Sequence, residues 1–242
     1  IRFSETVYDF WNGSGALETG DFTLSISGGS ATLGSTNPTA ITKDTPTFSS
    51  ATIDGNLNGA QSLEIADLDF DGDKDIIAAG FNGDDLNWYE NDGSGNYTET
   101  SIDGNLNGAQ GIAVNDIDGD GDLDIFATAR NDNEVVLYTN NGSQSFTKTV
   151  IDSDLIQPHD VQCTDLNDDG YMDVIATGRT SDKIIWYSND GTQTFTENIL
   201  DDAVNGAVGF FISDLDEDGD KDLIIAELDG NKVVWLSNDG SE

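Results

Sequence analysis

The stretch Asp116-Ile-Asp-Gly-Asp-Gly-Asp-Leu-Asp124 decides the fold, because it does not occur only once. It returns as Asp67-Leu-Asp-Phe-Asp-Gly-Asp-Lys-Asp75, as Asp165-Leu-Asn-Asp-Asp-Gly-Tyr-Met-Asp173 and as Asp214-Leu-Asp-Glu-Asp-Gly-Asp-Lys-Asp222. The starts at 67, 116, 165 and 214 are each 49 residues apart, without insertion or deletion. Two further markers keep the same step. One is the pair Trp88-Tyr89, Leu137-Tyr138, Trp186-Tyr187 and Trp235-Leu236, each ahead of an Asn/Asp-Gly turn. The other is an aromatic six residues before Asp: Phe48…Asp54, Tyr97…Asp103, Phe146…Asp152 and Phe195…Asp201. A fixed period of this length is the signature of a repeat architecture.

Each unit reads as four short strands. In the second unit they fall at 111–114, 124–129, 134–139 and 145–151. These runs are rich in Ile, Val and aromatics and are bounded by Asn, Asp and Gly, and no helical stripe of useful length interrupts them. Four antiparallel strands cannot close a core alone, so such sheets are expected to stack radially as the blades of a β-propeller. The expected fold is therefore all-β, with four repeats over 48–242 (48–96, 97–145, 146–194 and 195–242).

Residues 1–47 read as a degenerate first blade or as an immunoglobulin-like remnant. The aromatic marker occurs there once, at Phe3…Asp9, which favours five blades with residues 1–8 supplying the outer strand of the last one. Against this, residues 10–44 lack both the Asp-rich loop and the Trp-Tyr pair. The run Asp21-Phe-Thr-Leu-Ser-Ile-Ser-Gly-Gly29 also resembles part of the immunoglobulin-like repeats of bacterial surface proteins. In the alternative, four blades close, with residues 45–53 lent to the final blade as its outer strand.

The 47 acidic residues face only nine Lys and Arg, for a net charge of -38. Nine cations cannot displace counterions from nucleic acid, and an anionic membrane surface would repel the chain. No apolar run approaches the length of a membrane span. One cysteine, Cys163, excludes an intrachain disulfide. The chain opens at Ile1 without a basic or apolar leader, which reads as the start of a mature segment or of a fragment.

The repeated loops carry oxygen side chains at positions 1, 3, 5 and 9 and glycine at position 6. The expected metal ligands are Asp67, Asp69, Asp71, Asp73 and Asp75; Asp116, Asp118, Asp120, Asp122 and Asp124; Asp165, Asn167, Asp169, Tyr171 and Asp173; and Asp214, Asp216, Asp218, Asp220 and Asp222. The spacing matches the first half of an EF-hand loop, in which alternate residues turn their carboxylates inward. Position 7 is expected to offer its backbone carbonyl, which would admit Tyr171. Position 12 is Ala78, Ala127, Ala176 or Ile225 instead of the EF-hand Glu, so the Asp at position 9 must take that place. Hard oxygen donors without a His/Cys set select calcium, at four sites.

These loops, the apolar strand after each and the Trp-Tyr strand resemble the FG-GAP/VCBS-type repeats of integrin alpha-chain propellers and of many bacterial extracellular proteins. The resemblance covers residues 48–242 and implies a propeller with calcium in the loop joining the first two strands of each blade. Asn167 departs from the pattern, which lowers the affinity expected of the third loop.

Weaker signals read as structure. His159 is expected to line the central channel, Cys163 to fill core, and Trp88, Trp186 and Trp235 to pack between blades. Arg130 and Arg179 occupy equivalent positions, with Phe81 and Leu228 in the other two units, and read as local ion-pair partners. The loops around 81–85, 130–134, 180–183 and 228–232 vary between otherwise matching units, which is where a fixed scaffold carries recognition. Together these features point to a secreted or cell-surface binding or adhesion module recognising a glycan or an extracellular protein. A spacer or filament unit within a larger adhesin and a polysaccharide-degrading enzyme remain as alternatives. No nucleophile elbow, P-loop or dinucleotide fingerprint is present, so enzymatic activity is not the expectation.

Overall fold

The strands fall where the 49-residue period puts them. The computed structural model describes residues 48–240. Its first sheet is β1 (Ala60–Ala66), β2 (Asp75–Gly80), β3 (Asp85–Asn91) and β4 (Tyr97–Asp103). The second is β5 (Ala109–Asn115), β6 (Asp124–Ala129), β7 (Glu134–Asn140) and β8 (Phe146–Asp152). The third is β9 (Pro158–Thr164), β10 (Asp173–Gly178), β11 (Lys183–Asn189) and β12 (Phe195–Asp201), and the last is β13 (Ala207–Ser213), β14 (Asp222–Glu227) and β15 (Lys232–Leu236). Each sheet is an antiparallel meander in chain order, and residues from Thr52 on form one compact unit. The aspartate loops join the first two strands of every blade. Because each physical blade begins at its first strand and ends on the aromatic-marked strand, blades are offset by one strand from the repeat boundaries at 97, 146 and 195.

Burial explains the composition of each strand. The second strand is covered on both faces, so it is a continuous run; all six residues of Asp124-Ile-Phe-Ala-Thr-Ala129 are buried. The fourth strand is an outer edge, and Thr147, Lys148, Thr149 and Val150 of β8 are exposed. The hairpin after each second strand turns through Asp84, Asn133, Asp182 or Asn231, all at φ between 50 and 62°. Asn and Asp tolerate that left-handed conformation better than other side chains.

The blades stack through three apolar clusters. Trp88, Leu106, Ile112 and Tyr138 are buried between the first and second sheets, and Phe146 packs on them from the outer strand of the second. Phe195 does the same one interface on, edge-to-face with Phe126 at 6.1 Å. The first strands lie side by side, β5 against β9 so closely that a Cβ on Gly111 would come within 2.8 Å of the His159 carbonyl oxygen. A hydrogen-bonded latch crosses the first two junctions, and Leu236 stands where the tyrosine of the third would be. The Tyr138 hydroxyl donates to Asp103 at 2.7 Å and that of Tyr187 to Asp152 at 2.5 Å, so a third strand is tied to the preceding blade's last residue. Tyr89 ties the first blade to Asp54 in the same way at 2.9 Å.

The two end blades differ from the inner ones. Leu63 and Ile65 on β1 are 61% and 62% exposed, and Phe211 and Val233 on the last sheet are 67% and 72% exposed. Residues 48–53, within the stretch expected to lend the last blade its outer strand in the four-blade alternative, form no strand, and Phe48 is exposed. The last sheet has three strands among the described residues. The fifth blade or immunoglobulin-like remnant at 1–47, with its closing strand at 1–8, lies outside the described residues.

Candidate metal centre

Each aspartate loop is wound by its own backbone before any ion is considered. Two residues per loop are left-handed. Position 6 is Gly72, Gly121, Gly170 or Gly219 at φ of 91 to 106°, which glycine alone adopts without strain. Position 4 is also left-handed, at Phe70, Gly119, Asp168 and Glu217, a feature its varied composition conceals. The position-1 carboxylates of Asp67, Asp116, Asp165 and Asp214 then accept the N–H of the position-6 glycine at 3.2, 3.1, 2.9 and 3.1 Å. The position-5 carboxylates of Asp71, Asp120, Asp169 and Asp218 accept the N–H of position 7 at 2.9, 2.9, 2.8 and 3.0 Å.

Position 9 anchors the loop to the sheet. Asp75, Asp124, Asp173 and Asp222 are fully buried. Each Oδ2 accepts the N–H of position 2 (Leu68, Ile117, Leu166 or Leu215) at 2.9–3.1 Å. Each Oδ1 accepts the N–H of Asn91, Asn140, Asn189 or Asn238 at 2.8 Å. These asparagines are functional residues that the sequence reading passed over as turn formers. Their side chains also donate to the position-8 carbonyls of Lys74, Leu123, Met172 and Lys221 at 3.0–3.3 Å, clamping the loop to the last residue of the third strand in three blades and two residues beyond it in the last. Their recurrence at the 49-residue step was the available signal.

Three clusters bring carboxylate oxygens within 4.8 Å of one another: Asp67, Asp69 and Asp71; Asp116, Asp118 and Asp124; and Asp214, Asp216 and Asp218. Burial, then the neighbouring carboxylates of Asp75, Asp71 and Asp67, pushes Asp69 above its ordinary range. Burial and the charges of Asp120 and Asp116 do the same to Asp118, and burial lifts Asp124 to about 6, with Asp118 and Asp120 adding to it. Such mutual repulsion is what a bound cation reverses, and an all-oxygen set of this size fits a hard divalent ion.

Not every expected ligand points inward. The side chains of Asp73, Asp122, Tyr171 and Asp220 lie over the turn glycines Gly93, Gly142, Gly191 and Gly240, so closely that a Cβ there would meet them at 2.3–2.5 Å. Position 7 thus spends its side chain on the neighbouring turn and leaves only its backbone to the loop, which accounts for Tyr171. In the third loop the Asn167 amide donates to Asp169 at 3.0 Å. The Lys221 ammonium of the next blade reaches this loop as well, 2.6 Å from the Asp165 carbonyl and 2.8 Å from Asp168. A different reach steadies the second loop, where Gln193 donates to Asp118 at 2.8 Å.

The weaker expectations divide. Trp88 packs between blades, Trp186 packs against the third cluster, and Trp235 is 48% exposed on the incomplete last sheet. Cys163 lies against the second cluster, and burial pushes its thiol up. The expected ion pairs of Arg130 and Arg179 do not form. Among the described residues the salt bridges are Lys148–Asp103, Lys221–Asp168 and Lys232–Glu227. Carboxylates at the arginine end of the blades are engaged otherwise: Asp84 and Asp182 accept the N–H of Gly108 and Gly206 at 2.8 and 3.0 Å, and Asp132 accepts the Asn107 amide at 2.7 Å.

A model of the FG-GAP-like repeat matches residues 67–127, 116–176 and 165–225, each match running from one aspartate loop into the strand beyond the next. No curated protein matches the chain. A selenomethionine-substituted virginiamycin B lyase from Staphylococcus aureus is similar at 16% identity and a TM-score of 0.51, over 75% of this chain and 53% of the lyase. A chain of a nidogen–laminin complex is similar at 17% identity and 0.51, over 68% of this chain and 57% of that one. At these identities the likeness is one of fold, that of a propeller. The chain spans about half the length of the lyase it matches.

Proposed function

The chain belongs to the FG-GAP-like repeat family, and from that premise we propose that its four aspartate loops bind calcium and that the propeller they stiffen is an extracellular binding module for glycans. The observation that carries the calcium reading is the anchoring of all four loops. In each, a fully buried Asp at position 9 is held by two backbone N–H groups, while carboxylate oxygens converge from positions 1, 3 and 5 in the first and fourth loops and from positions 1, 3 and 9 in the second. In the third loop position 3 is Asn167, whose amide donates to Asp169 at 3.0 Å.

An extracellular setting follows from the chemistry. Loops of this kind in extracellular modules bind calcium at roughly 0.1–1 mM, a level the cytosol does not reach. Bound calcium would neutralise eight charges of a chain at -38, and extracellular salt screens the remainder. The recognition surface in this reading is the end of the blades away from the aspartate loops, where the turns differ from one repeat to the next. Its role is binding without turnover, because the repeated carboxylates are committed to their loops. A carbohydrate array probed in calcium and in chelator tests the proposal. Calcium-dependent capture of a defined glycan supports it; a blank array, together with turnover of a polysaccharide, would replace it with the enzyme reading.

A further inference from the structure

The third repeat breaks the pattern of the other three at one loop. The residues that lead into the first strand are Asn58-Gly-Ala-Gln61, Asn107-Gly-Ala-Gln110 and Asn205-Gly-Ala-Val208, but Ile156-Gln-Pro-His159 in the third copy, the last two of each lying in the strand. Gly59, Gly108 and Gly206 sit at φ of 75, 71 and 67°, and Gln157 occupies the same left-handed place at 51°. A side chain there is strained, and strain of this kind persists where it is put to use. The residue facing that position has changed with it. A Cβ on Gly59 or Gly108 would strike the Asn82 or Asn131 amide at 2.5 and 2.7 Å, and the third repeat has Thr180 instead.

The Gln157 side chain is spent on an arginine. Its Oε1 accepts Nη2 of Arg130 at 3.2 Å, and the Arg130 guanidinium also lies 5.6 Å over the Phe81 ring. Arg130 is thereby fixed from two sides. Arg179 occupies the equivalent position one blade on, because the N–H groups of Phe81, Arg130, Arg179 and Leu228 all donate to the loop before the first strand, at 2.9–3.1 Å. Gln157, two residues before His159, also takes the Arg179 N–H on its carbonyl at 3.0 Å, and burial, then both guanidinium charges, hold the His159 pKa down against a hydrogen bond with the Val208 backbone. In a chain with 47 carboxylates, neither arginine has a carboxylate partner within 4.0 Å among the described residues. Two arginines tied to one residue without a carboxylate partner, with an uncharged imidazole two residues along the strand, make a place for an anion.

We propose that Arg130, Arg179 and His159 bind the single oxyanion, a carboxylate or a sulfate, of an acidic sugar. The proposal rests on the binding-module reading and names its ligand class. Two arginines in a chain of -38 favour a sparsely charged saccharide, since a dense polyanion would meet the surrounding carboxylates. Beside the arginines, the halves of the Asn131, Asn133 and Gln157 amides that are not bonded to Asn107, to the Gln157 N–H and to Arg130 can pair with sugar hydroxyls.

The test is calorimetry on the full chain in calcium with four probes: a glucuronate-terminated disaccharide, a mono-sulfated disaccharide, their neutral counterpart and a glutamate-containing peptide. One or both acidic disaccharides should bind and the neutral one should not; which of the two binds identifies the anion. Removing one charge-assisted contact, as in Arg179→Gln, should weaken binding about tenfold or more, with melting temperature and calcium stoichiometry unchanged. Gln157→Gly restores the residue of the other repeats, and should raise the melting temperature while weakening binding by releasing Arg130. Equal binding of the neutral disaccharide would overturn the anion site but leave the binding module standing. Binding of the peptide alone, or of no probe, would overturn the proposal, and only a blank carbohydrate array besides would remove the module reading with it.

Discussion

Replacing Tyr187 by Phe removes one oxygen atom from the junction between the second and third blades. The hydroxyl donates to Asp152 Oδ2 at 2.5 Å, with Tyr187 2% and Asp152 8% exposed. Oδ1 keeps the N–H groups of Asp154 and Leu155 at 2.8 and 3.2 Å, so the substitution strips one oxygen of a buried carboxylate. A hydrogen bond to a charged group contributes about 1.5–3 kcal/mol. For a chain of this size each kcal/mol moves the melting temperature by about 2–4 °C, so Tyr187→Phe should lower it by roughly 3–12 °C. The equivalent change at Tyr138 should cost less, because Lys148 also holds Asp103 at 2.9 Å, and Tyr89→Phe least, since Asp54 is only part-buried and lies outside the strands. Burial pulls the Asp152 carboxyl upward, but the Asp154 amide and the Tyr187 hydroxyl outweigh it and hold it below the usual range. A carboxyl lowered by folding contributes stability above its unfolded pKa, and that stability is lost only as pH falls below about 4. Thermal melts of the three variants at pH 7 and pH 5 should therefore give the same ranking. An order led by Tyr89, or no effect at Tyr187, would refute the latch.

Other perturbations have equally definite outcomes. Asn167→Asp should tighten calcium at the third loop, whose affinity is lowered both by the missing charge and by the Lys221 ammonium beside Asp165 and Asp168; competition against a calcium indicator reads this as one site moving to lower Kd. Gly111→Ala should destabilise the fold by about 1–3 kcal/mol, because its Cβ would meet only backbone of β9, and denaturant melts measure the loss. Asp124 supplies a pH dependence of opposite sign to Asp152. Burial raises it to about 6, so in the metal-free protein its protonation adds stability at low pH that is lost as pH rises through about 6. The same proton competes with calcium. Melting temperatures in chelator and in calcium should therefore converge as pH falls from 7 to 5, and curves that stay parallel would remove Asp124 from the site.

Much of this molecule was legible because the period is strict. One loop motif at a 49-residue step fixed the strand count per blade, and the strands expected at 124–129 and 134–139 lie within a residue of β6 and β7. What stayed hidden depends on contacts between copies. Nothing local in Tyr187 marks it as a partner of Asp152, 35 residues earlier in the preceding blade. The left-handed Phe70 and Glu217 are unmarked, because their conformation is imposed by the position-1 carboxylate reaching forward and not by their own side chains. The arginines were expected to pair because acids surround them in sequence; in space those acids cap turns, and the pairing fails. The single-copy departure at Gln157 was visible in the alignment of the repeats, but its use became clear only from the Arg130 contact.

Calcium calorimetry with melting in chelator bears most directly on the central claim. At calcium about 100-fold above Kd each site adds about 2.7 kcal/mol, so four sites add roughly 10 kcal/mol, as much as a typical domain's whole stability. The account predicts four calcium ions bound per chain and a steep fall in melting temperature when they are removed, with magnesium a poor substitute. A binding isotherm with no calcium uptake, and a melting curve indifferent to chelator, would contradict it.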